Sequence, residues 1–227
     1  MKKILIAVPC MNQVPAEFAH SLSMLEKIEC CAVNFKIGSL VYTSRDQLAK
    51  DAIEAEADYV LWLDSDMVFP PDTLKRLMAR LEDNDVDIIS GLYFRRVEPF
   101  TPTLFDKLDV ESGQVHWTEF THIPAEPFEV GGCGFGCVLM STEVIMSVMA
   151  RFNQMFTPIN GVGEDLSFCW RARQLGYRIW CDPTLYLGHV GYTIITRDYF
   201  LAYQTEKEKE NAGQSQTCVT DQDNSIR

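Results

Sequence analysis

No run of roughly 18 consecutive apolar residues occurs anywhere in the 227-residue chain, so no membrane-spanning helix is predicted. Lys2-Lys3 followed by Ile4 to Val8 imitates the opening of a signal peptide. The apolar stretch is too short for an h-region, and Pro9-Cys10-Met11-Asn12 is no small-residue cleavage site, so the segment reads as a buried first strand. Basic residues are scarce: Lys and Arg number 20 against 32 Asp and Glu, a net charge of −12. That balance makes non-specific DNA binding a poor prospect, because phosphate contacts need an excess of Lys and Arg. It places no obstacle before a divalent cation, which needs carboxylates. The 8 cysteines contain no C-x-x-C pair. Cys30 and Cys31 are adjacent, Cys133 and Cys137 lie in a glycine run, and most of the rest are scattered through apolar segments. Buried thiols in a reducing compartment, and hence a cytoplasmic protein, are the first reading, with a zinc site second. Internal repeats and long low-complexity runs are also absent.

What is present suits one globular domain. Apolar residues make up 47% and charged residues 23%, enough for a core and too apolar for general disorder. Strand and helix signals alternate through the first half. Strands are predicted at Ile4 to Val8, Ala32 to Ile37, Tyr59 to Leu63 and Asp87 to Leu92. Helices are predicted from Pro15 to Ile28, from a Ser44/Gln47 capping box, and after Pro70-Pro71, where Leu74, Leu77, Met78 and Leu81 share a face. This order predicts an α/β fold with a mostly parallel central sheet and right-handed crossovers. Residues 93–130 are rich in proline, with short β-like pieces such as Thr103 to Phe105. A strand follows at Cys137 to Met140, then a helix capped by Thr142 and reaching about Arg151. Residues 152–162 read as a mobile loop and Gly163 to Leu175 as a helix stopped by Gly176. Short strands are predicted at Arg178 to Cys181 and Thr184 to Leu187. From Gln204 the apolar content collapses, so residues 1–203 form the predicted domain and 204–227 a polar, flexible tail, disordered or only partly helical.

Several clusters could carry chemistry. Asp64-Ser65-Asp66 ends the apolar run Leu61-Trp62-Leu63, and ligands of open α/β sheets bind at the carboxyl ends of strands. Two acids there can hold Mg²⁺ or Mn²⁺ with a substrate diphosphate completing the shell; the bland alternative is a solvated acidic turn. Glu164-Asp165 opens a helix. Such acids favour the macrodipole, and a helix N-terminus is expected to keep a carboxylate ionised and available as a base. His189, between Gly188 and Gly191, is a candidate ligand or a structural histidine. The run Gly131 to Gly136 is either a phosphate-cradling loop or a tight turn, and it precedes no helix as the dinucleotide and P-loop fingerprints require. Arg45-Asp46 is either a surface cap pair or a phosphate or nucleobase contact.

In series these segments resemble the nucleotide-sugar-dependent glycosyltransferases of the A-type fold, built on a single Rossmann-like domain, and most of all short bacterial and phage members of the inverting family. The resemblance spans roughly residues 3–195. It is carried by Ile6-Ala7-Val8-Pro9-Cys10-Met11-Asn12, Ser44-Arg45-Asp46, Leu61-Trp62-Leu63-Asp64-Ser65-Asp66, the glycine run, Gly163-Glu164-Asp165 with Phe168-Cys169-Trp170-Arg171-Ala172, and Asp182-Pro183 leading to Gly188-His189. The resemblance implies Mn²⁺ or Mg²⁺ bound by Asp66 directly, with His189 a further ligand and Asp64 on the donor's ribose or a metal-bound water. It implies Asp165 as the base beside Glu164. It implies donor binding by Pro9, Asn12, Arg45, Asp64, Ser65 and Gly132, and as partners a nucleoside-diphosphate sugar and a hydroxyl acceptor on a glycan, a lipid-linked sugar, a protein or a modified base. Arg45 is often followed by Asn in such enzymes; here Asp46 stands there. A Q-x-x-R-W acceptor motif is absent, which argues against a polymerising synthase.

Two other readings compete. A nucleotidyltransferase shares the α/β layout but carries a Gly-rich basic loop after its first strand, and Pro9 to Pro15 holds neither glycine nor a basic residue. A non-catalytic nucleotide-sugar-binding module has no need of the acids and histidine found at Asp64, Asp66, Asp165 and His189.

Overall fold

Side chains along the first strand alternate between two core clusters, one on each face of the central sheet. In the computed structural model, which describes residues 2–28, 30–38, 40–82, 86–111, 114–120, 122–159, 161–191 and 194–220, β1 (Ile4–Cys10) is buried along its whole length. Ile4, Ile6 and Val8 enter one core cluster and Leu5 and Ala7 the other, the period-2 consequence of a pleated strand covered on both faces. The chain continues through α1 (Ala16–Met24), β2 (Cys31–Ile37), α2 (Val41–Glu54), β3 (Tyr59–Leu63), β4 (Met67–Val68), α3 (Thr73–Leu81) and β5 (Ile88–Leu92). Next come β6 (Leu104–Glu111), β7 (Gln114–Glu119), β8 (Phe128–Val130), β9 (Gly132–Cys133) and β10 (Cys137–Ser141). The last elements are α4 (Thr142–Phe152), α5 (Glu164–Gln174), β11 (Ile179–Tyr186), β12 (Gly188–His189) and α6 (Arg197–Thr220).

The central sheet has the order β2-β1-β3-β10-β5-β11-β8. β2, β1, β3, β5 and β11 run in one direction, while β10 and β8 oppose them. The expected single α/β domain with a mostly parallel sheet is therefore what forms, with β10 inserted antiparallel between β3 and β5. β2 lies on one side of β1 and β3 on the other, so the crossovers diverge at β1. The crevice at the carboxyl ends of the strands beside such a switch point is where α/β sheets take ligands. Small sheets β12-β4 and β7-β6-β9 flank that end. Among the described residues no helix is long and apolar enough to cross a membrane.

Several local expectations are corrected by tertiary contacts. The first helix stops at Met24 rather than Ile28: Leu25 turns extended and is buried, and Glu26 N–H donates to Pro71 O at 2.8 Å. Ser44 opens no capping box. α2 begins at Val41, leaving Ser44 buried inside it, and Gln47 Nε2 instead donates to Asp51 Oδ1 at 3.0 Å. The loop at 152–162 is pinned in its middle, since Met155 and Phe156 are buried, Phe156 N–H donates to Asp46 Oδ1 at 3.0 Å, and Arg171 donates to Met155 O and Thr157 O. The two short strands predicted at 178–187 form one strand, β11, with an irregularity between Asp182 and Tyr186. Helix α6 runs through residue 204 to Thr220; residues 221–227 of the predicted tail lie outside the described residues.

Candidate active site

At the carboxyl ends of β1, β3 and β5 a cavity of about 420 Å³ opens, lined in part by Pro9, Arg45, Asp64, Ser65, Asp66, Glu164, Asp165 and His189. Residues from five separate segments thus meet in one place. A larger cavity, about 700 Å³, lies at the opposite ends of the strands beside Lys2, Asp58 and Thr142; none of the predicted site residues lines it.

Arg45 forms the floor. Its side chain is 2% exposed, donates from Nη2 to Asp64 Oδ1 at 2.7 Å and from Nε to Glu164 Oε1 at 3.2 Å, and lies over the rings of Trp62 and Phe135. Burial works against its charge, but Asp64, Glu164 and Asp165 outweigh that and hold the guanidinium more firmly protonated than usual. Arg45 therefore cross-links the end of β3 to the start of α5. Asp46, its neighbour, holds the 152–162 loop instead of facing the cavity.

Asp66 lies between His189 and Arg96. His189 Nδ1 is 2.9 Å from Phe94 O. A carbonyl only accepts, so Nδ1 carries the proton, and Nε2 is the atom left facing Asp66 Oδ1 at 3.5 Å. Two electron-pair donors at that spacing call for a proton or a cation between them. The backbone fixes this pairing, because β12 and β4 put His189 opposite Met67. The glycines of the segment make it possible: a Cβ at Gly188 would come within 2.7 Å of Ile194. On the other side, Arg96 Nη1 donates to Asp66 Oδ2 at 2.8 Å. Burial pushes Asp66 up, yet His189 and Arg96 overcome it and leave the carboxyl below its ordinary value.

Asp165 behaves differently from the expectation of a depressed helix-start acid. Burial, then the charge of Glu164, raise it to about 6, against the lowering effects of the Leu166 N–H and Arg45. Desolvation outweighs the helix terminus here.

Two predicted donor-binding residues do not line the cavity. Gly132 is buried in β9, where a Cβ would meet Leu166 and Leu108; Gly134 lines the cavity instead. Asn12 is exposed beyond the end of β1. Asp64 lines the cavity with its Oδ1 engaged by Arg45, and among the described residues no group of three or more His, Cys, Asp or Glu side chains is placed to hold an ion. Asp66 and His189 remain as a pair able to share a cation, with further ligands left to phosphate oxygens and water. Sequence reasoning missed Tyr93, Arg96 and Thr103. Tyr93 directly follows β5 and Arg96 lies four residues past its end, so extending the strand-end rule to every predicted strand would have found them. The glycine run serves Tyr93: its Oη accepts from Gly136 N–H at 2.9 Å, and a Cβ at Gly134 would come within 2.3 Å of that oxygen.

The fold has known relatives in structure. A197 from STIV superposes with a TM-score of 0.64 at 18% identity, over 88% of this chain and 92% of that one. GalNAc-T7, solved with UDP, GalNAc and Mn²⁺, superposes with a TM-score of 0.57 at 10% identity, over 83% of this chain and 43% of that longer one. The family model described as glycosyl transferase family 2 matches residues 49–148. The chain has the glycosyltransferase A-type fold. The matched segment of this glycosyltransferase fold runs from within α2 through β3 and its acids to α4, and supports glycosyl transfer. No curated protein sequence matches the chain.

Proposed function

We propose that the protein transfers a sugar from a nucleoside-diphosphate sugar to an acceptor hydroxyl, with Mn²⁺ or Mg²⁺ at Asp66 and His189 and with inversion at the transferred carbon. The observation that carries this reading is the meeting, in one cavity, of the Asp66–His189 pair and the half-buried Asp165. The charge balance supports it. Asp64, Asp66, Glu164 and Asp165 face Arg45 and Arg96, an excess of carboxylate that would repel a diphosphate entering alone. Bound there, a divalent cation would neutralise that excess and stabilise the charge left on the diphosphate as the sugar departs.

The chain's own residues do the rest. Arg45 holds Asp64 and Glu164 in fixed positions at the cavity floor. Phe94 O orients the imidazole of His189, as partners of metal-ligating histidines generally do. Asp165, ionised above about pH 6, accepts the proton of the acceptor hydroxyl as that oxygen bonds to the sugar.

Nucleoside diphosphate release, measured with a panel of nucleotide-sugars and Mn²⁺, tests the reading. Release from one donor, stimulated by an acceptor and abolished by EDTA, is the expected result. Pyrophosphate release from a nucleoside triphosphate would point to nucleotidyl transfer, and binding without turnover to a module; either outcome overturns the proposal.

A further inference from the structure

We propose that Arg96 is a donor-binding residue parked on Asp66: a cation taken up by Asp66 and His189 frees its guanidinium to bind the donor's diphosphate. The proposal rests on the reading of the cavity as a nucleoside-diphosphate-sugar site.

The contrast between the two guanidiniums of the cavity is the starting point. Arg45 is sealed in, 2% exposed and committed to two carboxylates. Arg96 is 49% exposed, and its one short contact is Nη1 to Asp66 Oδ2 at 2.8 Å; a second, to Val190 O, is long at 3.4 Å. Its stem rests on Gly191, where a Cβ would come within 3.3 Å of Arg96 Cδ. The bare backbone of Gly191 leaves room for the stem to lie against it, while the head is held by Asp66 at 2.8 Å and, weakly, by Val190 O at 3.4 Å. An ion pair this exposed is weak and is readily exchanged.

A cation that ligates Asp66 takes the same carboxylate and repels the guanidinium. Arg96 then loses Asp66 as its partner, inside a cavity where Arg45 remains locked. A free planar fork of N–H donors suits the oxygens of a diphosphate. Metal uptake would thus create the second half of the anion site, and a diphosphate would bind only after the ion. In the absence of metal, Arg96 keeps Asp66 neutralised and the cavity stable.

The test reads binding, not turnover. Mn²⁺ alone is titrated calorimetrically into the unmodified protein, Arg96→Ala and Arg95→Ala. The tightest-binding member of UDP, GDP, CDP, ADP and TDP is then titrated at saturating Mn²⁺. Arg95 serves as the control because it pairs with Glu119 and does not line the cavity. Arg96→Ala should bind Mn²⁺ about two- to fivefold more tightly, the competitor being gone. It should bind the nucleoside diphosphate at least about tenfold more weakly, a charge-assisted contact being lost. Arg95→Ala should change neither. Opposite signs in one variant are not the mark of a merely structural residue. Unchanged or weakened Mn²⁺ affinity, or unchanged nucleotide affinity, in Arg96→Ala overturns the proposal while leaving the donor-site reading intact. An unmodified protein that takes no nucleoside diphosphate at all removes that reading, and this proposal with it.

Discussion

At the residue scale, Asp165 and Arg45 separate chemistry from architecture. Asp165→Asn keeps the shape of the side chain and removes the proton acceptor. Transfer should fall by about 10²–10⁴, with Mn²⁺ and nucleotide affinity little changed. Steady-state kinetics beside calorimetry checks this, and loss of donor binding together with turnover would make Asp165 a donor contact. Arg45→Met is expected to fail in another way. It strands Asp64 and Glu164 as partly buried charges without their partner, a loss of roughly 3–5 kcal/mol by analogy with broken buried pairs, read as a lower denaturation midpoint. The sequence makes the acids legible because Asp64 and Asp66 follow an apolar strand and Glu164 and Asp165 open a helix. It hides the role of Arg45, whose partner Glu164 lies 119 positions away. It also hides the raised Asp165, since a helix start is a local signal and desolvation is a product of the whole fold.

At the element scale, the segment between α4 and α5 and the final helix give opposite expectations. Phe156 is fully buried, stacked on Phe168 and edge-on to Trp62. Phe156→Ala should cost about 3–5 kcal/mol of stability, whereas a change in a freely moving lid would cost almost nothing; urea denaturation distinguishes the two. Removing residues 208–227 should leave the melting temperature and donor binding intact, because the ring contacts of α6 with the core come from Tyr199, Phe200 and Tyr203, ahead of the cut. A marked fall in melting temperature would show that the last turns dock. The same contrast explains what could be read in advance. Central strands such as β3 announce themselves by continuous apolar residues, and their burial on both faces follows. Helix ends do not: the start of α2 and the end of α1 are decided by contacts with distant segments, and the polar composition of α6 gives no signal of where it starts.

At the scale of the whole molecule, activity and stability should move in opposite directions with pH. Asp165 is raised to about 6 in the folded protein, while an unfolded Asp titrates near about 3.9. Between those values the folded chain binds the extra proton, so this group's contribution to stability is complete below about pH 4 and lost as pH rises through about 6. Its contribution to catalysis runs the other way, since only the ionised form accepts a proton. Asp66 and Asp182, both held below their ordinary value despite burial, by His189 and Arg96 and by Thr184 and Arg80 respectively, contribute stability that is present at neutral pH and lost only in stronger acid. The two windows are therefore separable. Transfer at saturating Mn²⁺ should rise from pH 5 to pH 7 with an apparent pKa near about 6. Over the same range the melting temperature of the unmodified protein should fall relative to Asp165→Asn. The variant should gain about 1–3 kcal/mol above pH 7 and lose that advantage near pH 4, where the native carboxyl is itself neutral. Thermal melts of both proteins across pH 4–8 measure the difference directly. A constant gap between the two curves would mean that Asp165 does not titrate in this range, and the acid limb of the rate profile would then belong to another group in the cavity.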